Sequence, residues 1–148
     1  MPFALSFRYG ENREPEVARG ATASRGHLSI IFDGHLHNRA AIAATCRAAE
    51  TDDAGLALRL SADSQARFPL DLTGEFALAL FNGHDRTLFC ARDHTGLRPF
   101  YWFDDGAAFH CATDIGWFFT LPTFRARPNE AYAAQWLAND LTTAVDTL

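Results

Sequence analysis

Short apolar runs, bounded by glycine, proline or polar residues, recur along the chain and predict a fold built mainly from β-strands. The predicted strands are Phe3–Tyr9, His27–Phe32, Phe76–Phe81, Thr87–Arg92, Phe100–Phe103 and Ala107–Ala112. The last four pair as two hairpins, because a short loop containing glycine separates the members of each pair. The stretch from Gly10 to Arg25 is polar and predicts a loop, and Asp33 with Gly34 predicts a turn directly after the second strand.

Helical periodicity appears at four places, and helices are predicted over Arg39–Ala49, Ala54–Ala62, Gly116–Leu121 and Asn129–Asn139. Asn38 precedes the first helix and Asp52 or Asp53 precedes the second, in the N-cap position that such residues favour. Two helices stand between the second strand and the later hairpins, and strands and helices do not alternate regularly. This order predicts an α+β fold.

The composition suits one compact domain and excludes several classes of function. The chain has 148 residues, 48% of them hydrophobic, and its net charge of -5 favours neither nucleic acid nor an anionic membrane surface as a partner. All thirteen basic residues are arginine, which excludes a lysine Schiff base or a lysine general base. No signal peptide and no apolar run of membrane-spanning length is present, so a cytoplasmic location and no membrane partner are expected.

The cysteines and histidines predict no site of their own. Cys46, Cys90 and Cys111 are few and unevenly spaced, so each is predicted to be a small buried apolar side chain rather than part of a disulfide framework. His35 and His37 are spaced as two metal ligands could be. No further ligand motif accompanies them, and no metal site is expected.

One long segment carries a specific pattern. It runs from Gly74 to Phe81 (GEFALALF) and, after a hairpin loop, from Thr87 to Tyr101 (TLFCARDHTGLRPFY). The segment resembles the N-terminal glutaminase domain of the asparagine synthetase family, whose pattern is roughly G-x-F-A-F-A-L, a hairpin, and L-x-x-A-R-D-x-x-G-x-[KR]-P-L-[YF]-Y. Three further family motifs have counterparts in the correct order, at Asp33–Arg39, Glu50–Gly55 and Cys111–Ile115.

This resemblance, which covers residues 27–122, implies a fold and a chemistry. Such a domain is a class II glutamine amidotransferase with a four-layer αββα sandwich of the N-terminal-nucleophile hydrolase type, here shortened at the N-terminus. In that family a cysteine at the first mature position attacks glutamine, and the Asn and Gly of an N-G-E motif stabilise the oxyanion. Acidic residues of the family hold the α-amino group of the substrate.

The chain departs from the family at the positions that carry this chemistry. Pro2 stands where the nucleophilic cysteine is expected, so no catalytic residue is assigned. Asp33 replaces the amide donor beside the retained Gly34, and His35 replaces the next acidic residue, whereas Asp53 keeps the second acidic position. Because a carboxylate accepts hydrogen bonds and repels an oxyanion, these positions predict a degenerate glutamine pocket.

The loop pattern of the family is retained in Arg92, Asp93, Gly96 and Pro99. The resemblance leaves two roles open for this loop. Either it faces a partner domain, or it only shapes a turn between two strands.

Family members without the cysteine, such as the lasso-peptide macrolactam cyclases and β-lactam synthetase, join an internal amine to an adenylated carboxylate. The resemblance to this branch implies that residues 1–122 are a non-catalytic scaffold and residues 123–148 a linker and helix leading to a synthetase domain outside this chain. ATP and Mg²⁺ are expected in that domain, because the S-G-G-x-D-S pyrophosphate motif is missing here, and no cofactor is expected in this chain. The expected partners are the synthetase domain, a peptide substrate and a processing protein.

Two alternatives remain open. The chain could be a fragment of a glutamine-hydrolysing asparagine synthetase with an altered start, or a stand-alone binding or regulatory domain. Under either interpretation the motifs predict the same fold.

Overall fold

The computed structural model of the protein describes residues 1–48 and 52–138, in which eight strands form two antiparallel sheets. The strands are β1 (Ala4–Arg8), β2 (Glu16–Arg19), β3 (Ala21–Arg25), β4 (Leu28–Leu36), β5 (Gly74–Asn82), β6 (Thr87–Arg92), β7 (Tyr101–Asp104) and β8 (Ala108–Ala112). The order in the first sheet is β2-β1-β8-β7, and the order in the second sheet is β3-β4-β5-β6. The β5–β6 and β7–β8 hairpins are therefore confirmed.

The helices cover the outer face of the second sheet. They are α1 (Arg39–Thr45) and α2 (Asp53–Ser64), followed by a 3-10 segment (Gln65–Asp71). Apolar residues that alternate along β4 and β5 point toward these helices and form the larger core, together with the inner faces of α1 and α2. The N-terminus of α2 is capped as predicted, because the Asp52 carboxylate accepts a hydrogen bond from the amide N–H of Gly55 at 2.7 Å.

The opposite residues of the same strands point toward the first sheet and fill a second core. Its buried members are Phe3, Leu5, Ile31, Ala77, Ala79 and Cys111. The outer face of the first sheet is covered by a 3-10 segment (Ile115–Thr120), whose Phe118 packs on Ala4 and Ala112. The layers are thus helical, sheet, sheet and helical, with a thin last layer, and the predicted α+β sandwich is confirmed.

The predicted loop from Gly10 to Arg25 is wrong. Most of it forms β2 and β3, which pair with β1 and β4 respectively. Both are edge strands, and all four residues of β2 are exposed. Because an edge strand gains little from apolar side chains, its sequence is polar and resembles a loop.

The predicted turn at Asp33 and Gly34 is also wrong, because β4 continues through both residues to Leu36 and pairs with β5 along its whole length. Asn38 does not cap α1. Its side chain instead bonds the Asp71 carbonyl at 2.8 Å and the Thr73 amide N–H at 3.0 Å, and so ties the end of β4 to the start of β5.

The third helix, α3 (Glu130–Leu137), begins as predicted. Its N-cap Asn129 accepts a hydrogen bond from the amide N–H of Tyr132 at 3.0 Å. None of its residues is buried. The predicted helices are too long at their C-terminal ends, because α1 ends at Thr45 and α3 ends at Leu137. The predicted last residues, Ala49 and Asn139, lie outside the described residues. Within the described residues, no helix combines the length and apolar character needed to cross a membrane.

Candidate functional site

The candidate pocket lies near the C-terminal end of β4. At this point Gly34 adopts φ +141°, and a Cβ atom there would lie 2.0 Å from the Glu75 carbonyl oxygen. Only glycine allows β4 and β5 to approach so closely. Because side chains alternate along a strand, Asp33 lies on the same face of β4 as Ile31, toward the other sheet, and it is 2% exposed.

Asp33 is surrounded by positive charge. Its Oδ1 atom accepts a hydrogen bond from the Met1 α-ammonium group at 2.9 Å and lies 3.7 Å from a guanidinium nitrogen of Arg98. The same guanidinium group lies 3.7 Å from the Glu75 carboxylate. We call Met1, Asp33, Arg98 and Glu75 the charged cluster; its four charges alternate in sign.

The charged cluster gives Asp33 a structural role that an amide could not fill. A buried carboxylate is stable only when cations and hydrogen-bond donors compensate its charge, and removal of one partner of such a pair is costly. The Asp33 carboxylate is 3% exposed, and its contacts are an ammonium and a guanidinium group. The Asp33 carboxylate therefore accepts a hydrogen bond from the Met1 ammonium group and lies beside the Arg98 guanidinium group.

His35 and Asp53 form a second ionic group next to the charged cluster. The Nδ1 atom of His35 lies 3.3 Å from the Asp53 carboxylate, and the Nε atom of Arg39 lies 3.2 Å from its other oxygen. Asp53 is the first residue of α2, where the helix dipole favours a negative charge. The two carboxylate oxygens thus face the imidazole ring of His35 and the guanidinium group of Arg39, and the buried Oδ1 atom accepts no hydrogen bond from the described residues.

The retained loop is organised around Asp93, which is 3% exposed. Its carboxylate accepts hydrogen bonds from the Thr95 hydroxyl group at 2.5 Å and from the backbone N–H groups of Phe76, Thr95, Leu97 and Arg98. Burial alone would raise the pKa of Asp93, but these hydrogen bonds outweigh it and hold the pKa well below its usual range. Asp93 is therefore ionised at neutral pH and fixes the path of the loop.

This loop places Arg98 at the charged cluster. Gly96 has φ +67° and lies against the Arg92 guanidinium group, where a Cβ atom would be 2.7 Å from a guanidinium nitrogen. Arg92 closes over this turn, and Pro99 follows Arg98 directly on the way to β7. The segment Arg92–Pro99 thus forms a turn, and this turn places the Arg98 guanidinium group next to Asp33.

On the other side of the charged cluster, Phe3 directly before β1 is hydrogen-bonded to Thr113 directly after β8. The Phe3 amide N–H donates to the Thr113 hydroxyl group at 2.9 Å, and the Thr113 amide N–H donates to the Phe3 carbonyl at 3.0 Å. Pro2, which stands at the expected nucleophile position, is exposed and bears no nucleophilic atom. Cys46, Cys90 and Cys111 belong to the two apolar cores rather than to the charged cluster.

Three members of the charged cluster were not identified from the sequence. The motif pattern includes Glu75 and Arg98, but it gives no reason to expect that they pair. Met1 contributes its α-ammonium group rather than its side chain, so its residue type gives no indication of this contact. The sequence feature that could have indicated Arg98 is the basic residue that the family pattern places directly before Pro99. Among the described residues, no group of three or more histidine, cysteine or acidic side chains is arranged to hold a metal ion.

Comparison with known proteins connects this geometry to a family. The model of a family described as a glutamine amidotransferase domain matches residues 16–119, a range that contains Asp33, Asp53 and the Arg92–Pro99 loop. The asparagine synthetase [glutamine-hydrolyzing] 3 of Bacillus subtilis (strain 168) is 29% identical over 104 residues. That alignment covers 67% of this chain and 17% of the relative, so this chain spans only a small part of the relative's length.

A solved structure supports the fold independently. Glutamine phosphoribosylpyrophosphate amidotransferase from B. subtilis, determined in complex with ADP and GMP, superimposes with a TM-score of 0.59 at 12% sequence identity. The match covers 80% of this chain and 36% of that one. At this level of identity the comparison concerns the fold alone.

Proposed function

Because the chain belongs to the glutamine amidotransferase domain family, we propose that it is a non-catalytic member, which serves as a scaffold within an ATP-dependent amide-forming enzyme. Family members that hydrolyse glutamine need a nucleophile, an oxyanion site and a pocket for the substrate α-amino group. In this chain the corresponding positions are occupied by Pro2, Asp33 and the pair of His35 with Asp53. Pro2 offers no nucleophilic atom, and the contacts of Asp33 and Asp53 within the protein compete with glutamine chemistry.

The observation that carries the proposal is the environment of Asp33. A tetrahedral intermediate is stabilised by donors aimed at its oxyanion, and loss of one such donor costs about 3 to 4 kcal/mol of transition-state stabilisation. Here a carboxylate stands in that place and accepts from the Met1 ammonium group at 2.9 Å. A carboxylate at this position repels the oxyanion instead of donating a hydrogen bond to it, which disfavours the transition state further.

Two further observations support a closed pocket. His35 and Arg39 contact the Asp53 carboxylate, so a ligand ammonium group would have to displace them. Arg98 lies between Asp33 and Glu75, so both acidic groups already have a cationic neighbour. The pocket is thus filled by contacts within the protein.

The proposed enzyme that contains this domain is larger than this chain. Its relative from B. subtilis, an asparagine synthetase, extends far beyond the aligned 17%. We infer that residues 1–122 act as the scaffold and residues 123–148 lead to a cytoplasmic synthetase domain that binds ATP and Mg²⁺. The cysteine-less character favours a macrolactam cyclase of the lasso-peptide type, with a peptide substrate and a processing protein as partners.

The surface of α3 supports a connecting role. Trp136 is 62% exposed and Leu137 is 79% exposed, although both are apolar. A helix that buries none of its residues gains little from the domain that precedes it. Exposed apolar side chains on such a helix are suited to packing against a partner domain.

Restoration of the missing nucleophile tests the proposal. Pro2→Cys, with Met1 removed so that the cysteine is N-terminal, and Asp33→Asn should be assayed for ammonia release from glutamine, singly and together. Neither single variant is expected to exceed the buffer rate, because each leaves one essential function missing. Clear turnover by Pro2→Cys alone would show that Asp33 does not oppose the reaction and would remove the observation that carries the proposal.

A further inference from the structure

Two cysteine side chains from opposite sheets meet in the inter-sheet core. Cys90 lies on β6 and pairs with Ala79 of β5, and Cys111 lies on β8 and pairs with Leu5 of β1. Cys111 is fully buried, whereas Cys90 is only partly buried and packs against the same apolar cluster. The pair therefore combines an enclosed thiol with one that solvent can reach.

The Cys90 side chain packs in the same inter-sheet cluster as Cys111 and interacts with the Cys111 thiol. Side chains from the inner faces of packed sheets interdigitate, and residues on facing strands can be close enough for a disulfide. This contact and the burial of the site raise the pKa of the Cys111 thiol. Both sulfurs are in the thiol form in this structure.

We propose that Cys90 and Cys111 form a reversible inter-sheet disulfide when the protein meets a peroxide, and that the pair acts as an oxidant-responsive staple between the sheets. The proposal is independent of the scaffold function, because it concerns side chains outside the charged cluster. It rests on the facing strands, the shared core and the difference in exposure between the two thiols.

The reaction proceeds in two balanced steps. The Cys90 thiolate attacks a peroxide oxygen, the O–O bond breaks, and the product is a Cys90 sulfenic acid and one water. The Cys111 sulfur then attacks the sulfenic sulfur, an S–S bond forms, the S–O bond breaks, and a second water leaves with the Cys111 proton. Two thiols are oxidised and one peroxide is reduced. A dithiol reductant reverses the change by thiol–disulfide exchange.

The staple would act on the two walls of the charged cluster. Two residues beyond Cys90, β6 passes into the loop that carries Asp93 and Arg98. Two residues beyond Cys111, Thr113 forms both hydrogen bonds that fix Phe3 next to Met1. A covalent bond between the strands would hold these two walls at a fixed separation.

The test treats the folded protein with hydrogen peroxide and then alkylates the remaining thiols after unfolding. We expect the intact mass to decrease by two hydrogen atoms, and a non-reducing peptide map to contain one linked pair, Cys90 with Cys111. Dithiothreitol should restore both thiols. The melting temperature of the oxidised protein should rise by roughly 5 to 10 °C, since a disulfide restricts the unfolded chain.

Two variants make the result specific. Cys46→Ser is the matched control, because Cys46 packs against the other core, and it should behave as the wild type does. Cys90→Ser replaces the more exposed member, so folding should be retained, and it should abolish both the linkage and the thermal shift. The proposal is overturned if natively folded wild type keeps both thiols, if Cys90 proceeds to sulfinic acid without linkage, or if Cys46 forms the bond instead.

Discussion

The α-ammonium group of Met1 donates to the buried carboxylate of Asp33 over 2.9 Å, which joins the start of the first strand to a residue 32 positions later. The carboxylate is 3% exposed, while Met1 is largely exposed and Arg98 is one-third exposed. The pair is therefore intermediate between a buried and a surface salt bridge. Its role is to compensate a charge that the fold places inside the sandwich.

Asp33→Asn should destabilise the protein by about 1 to 3 kcal/mol, between the values typical of surface and buried pairs. The isosteric amide removes the negative charge and leaves two cations without their buried partner. The free energy of unfolding in urea measures the effect. Glu11→Gln is the control, because the Glu11 side chain is 43% exposed and its contact with Arg13 is a distant 3.8 Å, and it should change stability by less than about 0.5 kcal/mol. Equal effects of the two substitutions would contradict the buried pair.

Gly34→Ala should cost more than about 3 kcal/mol or prevent folding. It combines a backbone conformation that side chains avoid with a Cβ that would lie 2.0 Å from the Glu75 carbonyl oxygen. Gly10→Ala is the matched control. Gly10 also has a positive φ, +70°, but a Cβ there meets nothing within 4 Å, so the expected cost is only about 1 to 2 kcal/mol. If both variants lose the same stability, close approach of the strands does not explain Gly34.

The fold was predictable where local signals agreed, and the errors have physical causes. The strands β5 and β6 are long and apolar, and a loop of hairpin length joins them, so pattern alone locates them. β2 was missed because it is an exposed edge strand. Asn38 was assigned a helix cap, but its partners Asp71 and Thr73 lie more than 30 residues away. No local pattern can reveal a partner at such a separation.

In the candidate site, too, the sequence pattern identifies positions but not contacts between distant residues. The family motif located Asp33, Asp53 and the Asp93 loop, because these positions follow a recognisable spacing. The spacing does not show that Arg98 turns toward Asp33, since their contact depends on the fold of the whole loop. Motif comparison therefore identified the altered positions, and the structure supplied what the altered residues bind.

Asp93→Asn should destabilise the domain by about 2 to 4 kcal/mol at neutral pH. The amide nitrogen would face N–H donors, and the charge-assisted hydrogen bonds would be lost. Asp85→Asn is a close control, because Asp85 also accepts from the N–H and hydroxyl groups of a threonine two residues later, but in an exposed turn. Asp85→Asn is expected to lower the free energy of unfolding by less than Asp93→Asn does. A loss at Asp85 as large as that at Asp93 would contradict a special role for the buried carboxylate.

Acid should weaken the wild type through the same residue. The folded pKa of Asp93 lies below the ordinary value of 3.8, so its stabilising effect is complete well above pH 4 and is lost as the pH falls below that value. Unfolding of Asp93→Asn should therefore depend less on pH in this acidic range. Chemical unfolding at several pH values tests this, and parallel curves for wild type and variant would contradict the assignment.

Trp136→Ser should leave the stability of this chain unchanged within about 0.5 kcal/mol, because α3 buries none of its residues. Phe118→Ser, in contrast, removes a ring that is 2% exposed and should cost about 3 to 5 kcal/mol. Thermal unfolding of the two variants checks the contrast. A large loss with Trp136→Ser would show that α3 is part of the core of this domain rather than a surface for a partner.

The most direct test of the central claim is the release of ammonia from glutamine by the purified wild-type protein, measured beside a glutamine-hydrolysing amidotransferase as a positive control. The charged cluster predicts a rate that equals the rate in buffer at every glutamine concentration. Saturable release of ammonia that is abolished when one cysteine is replaced by alanine would contradict the claim that this glutaminase fold no longer performs its chemistry.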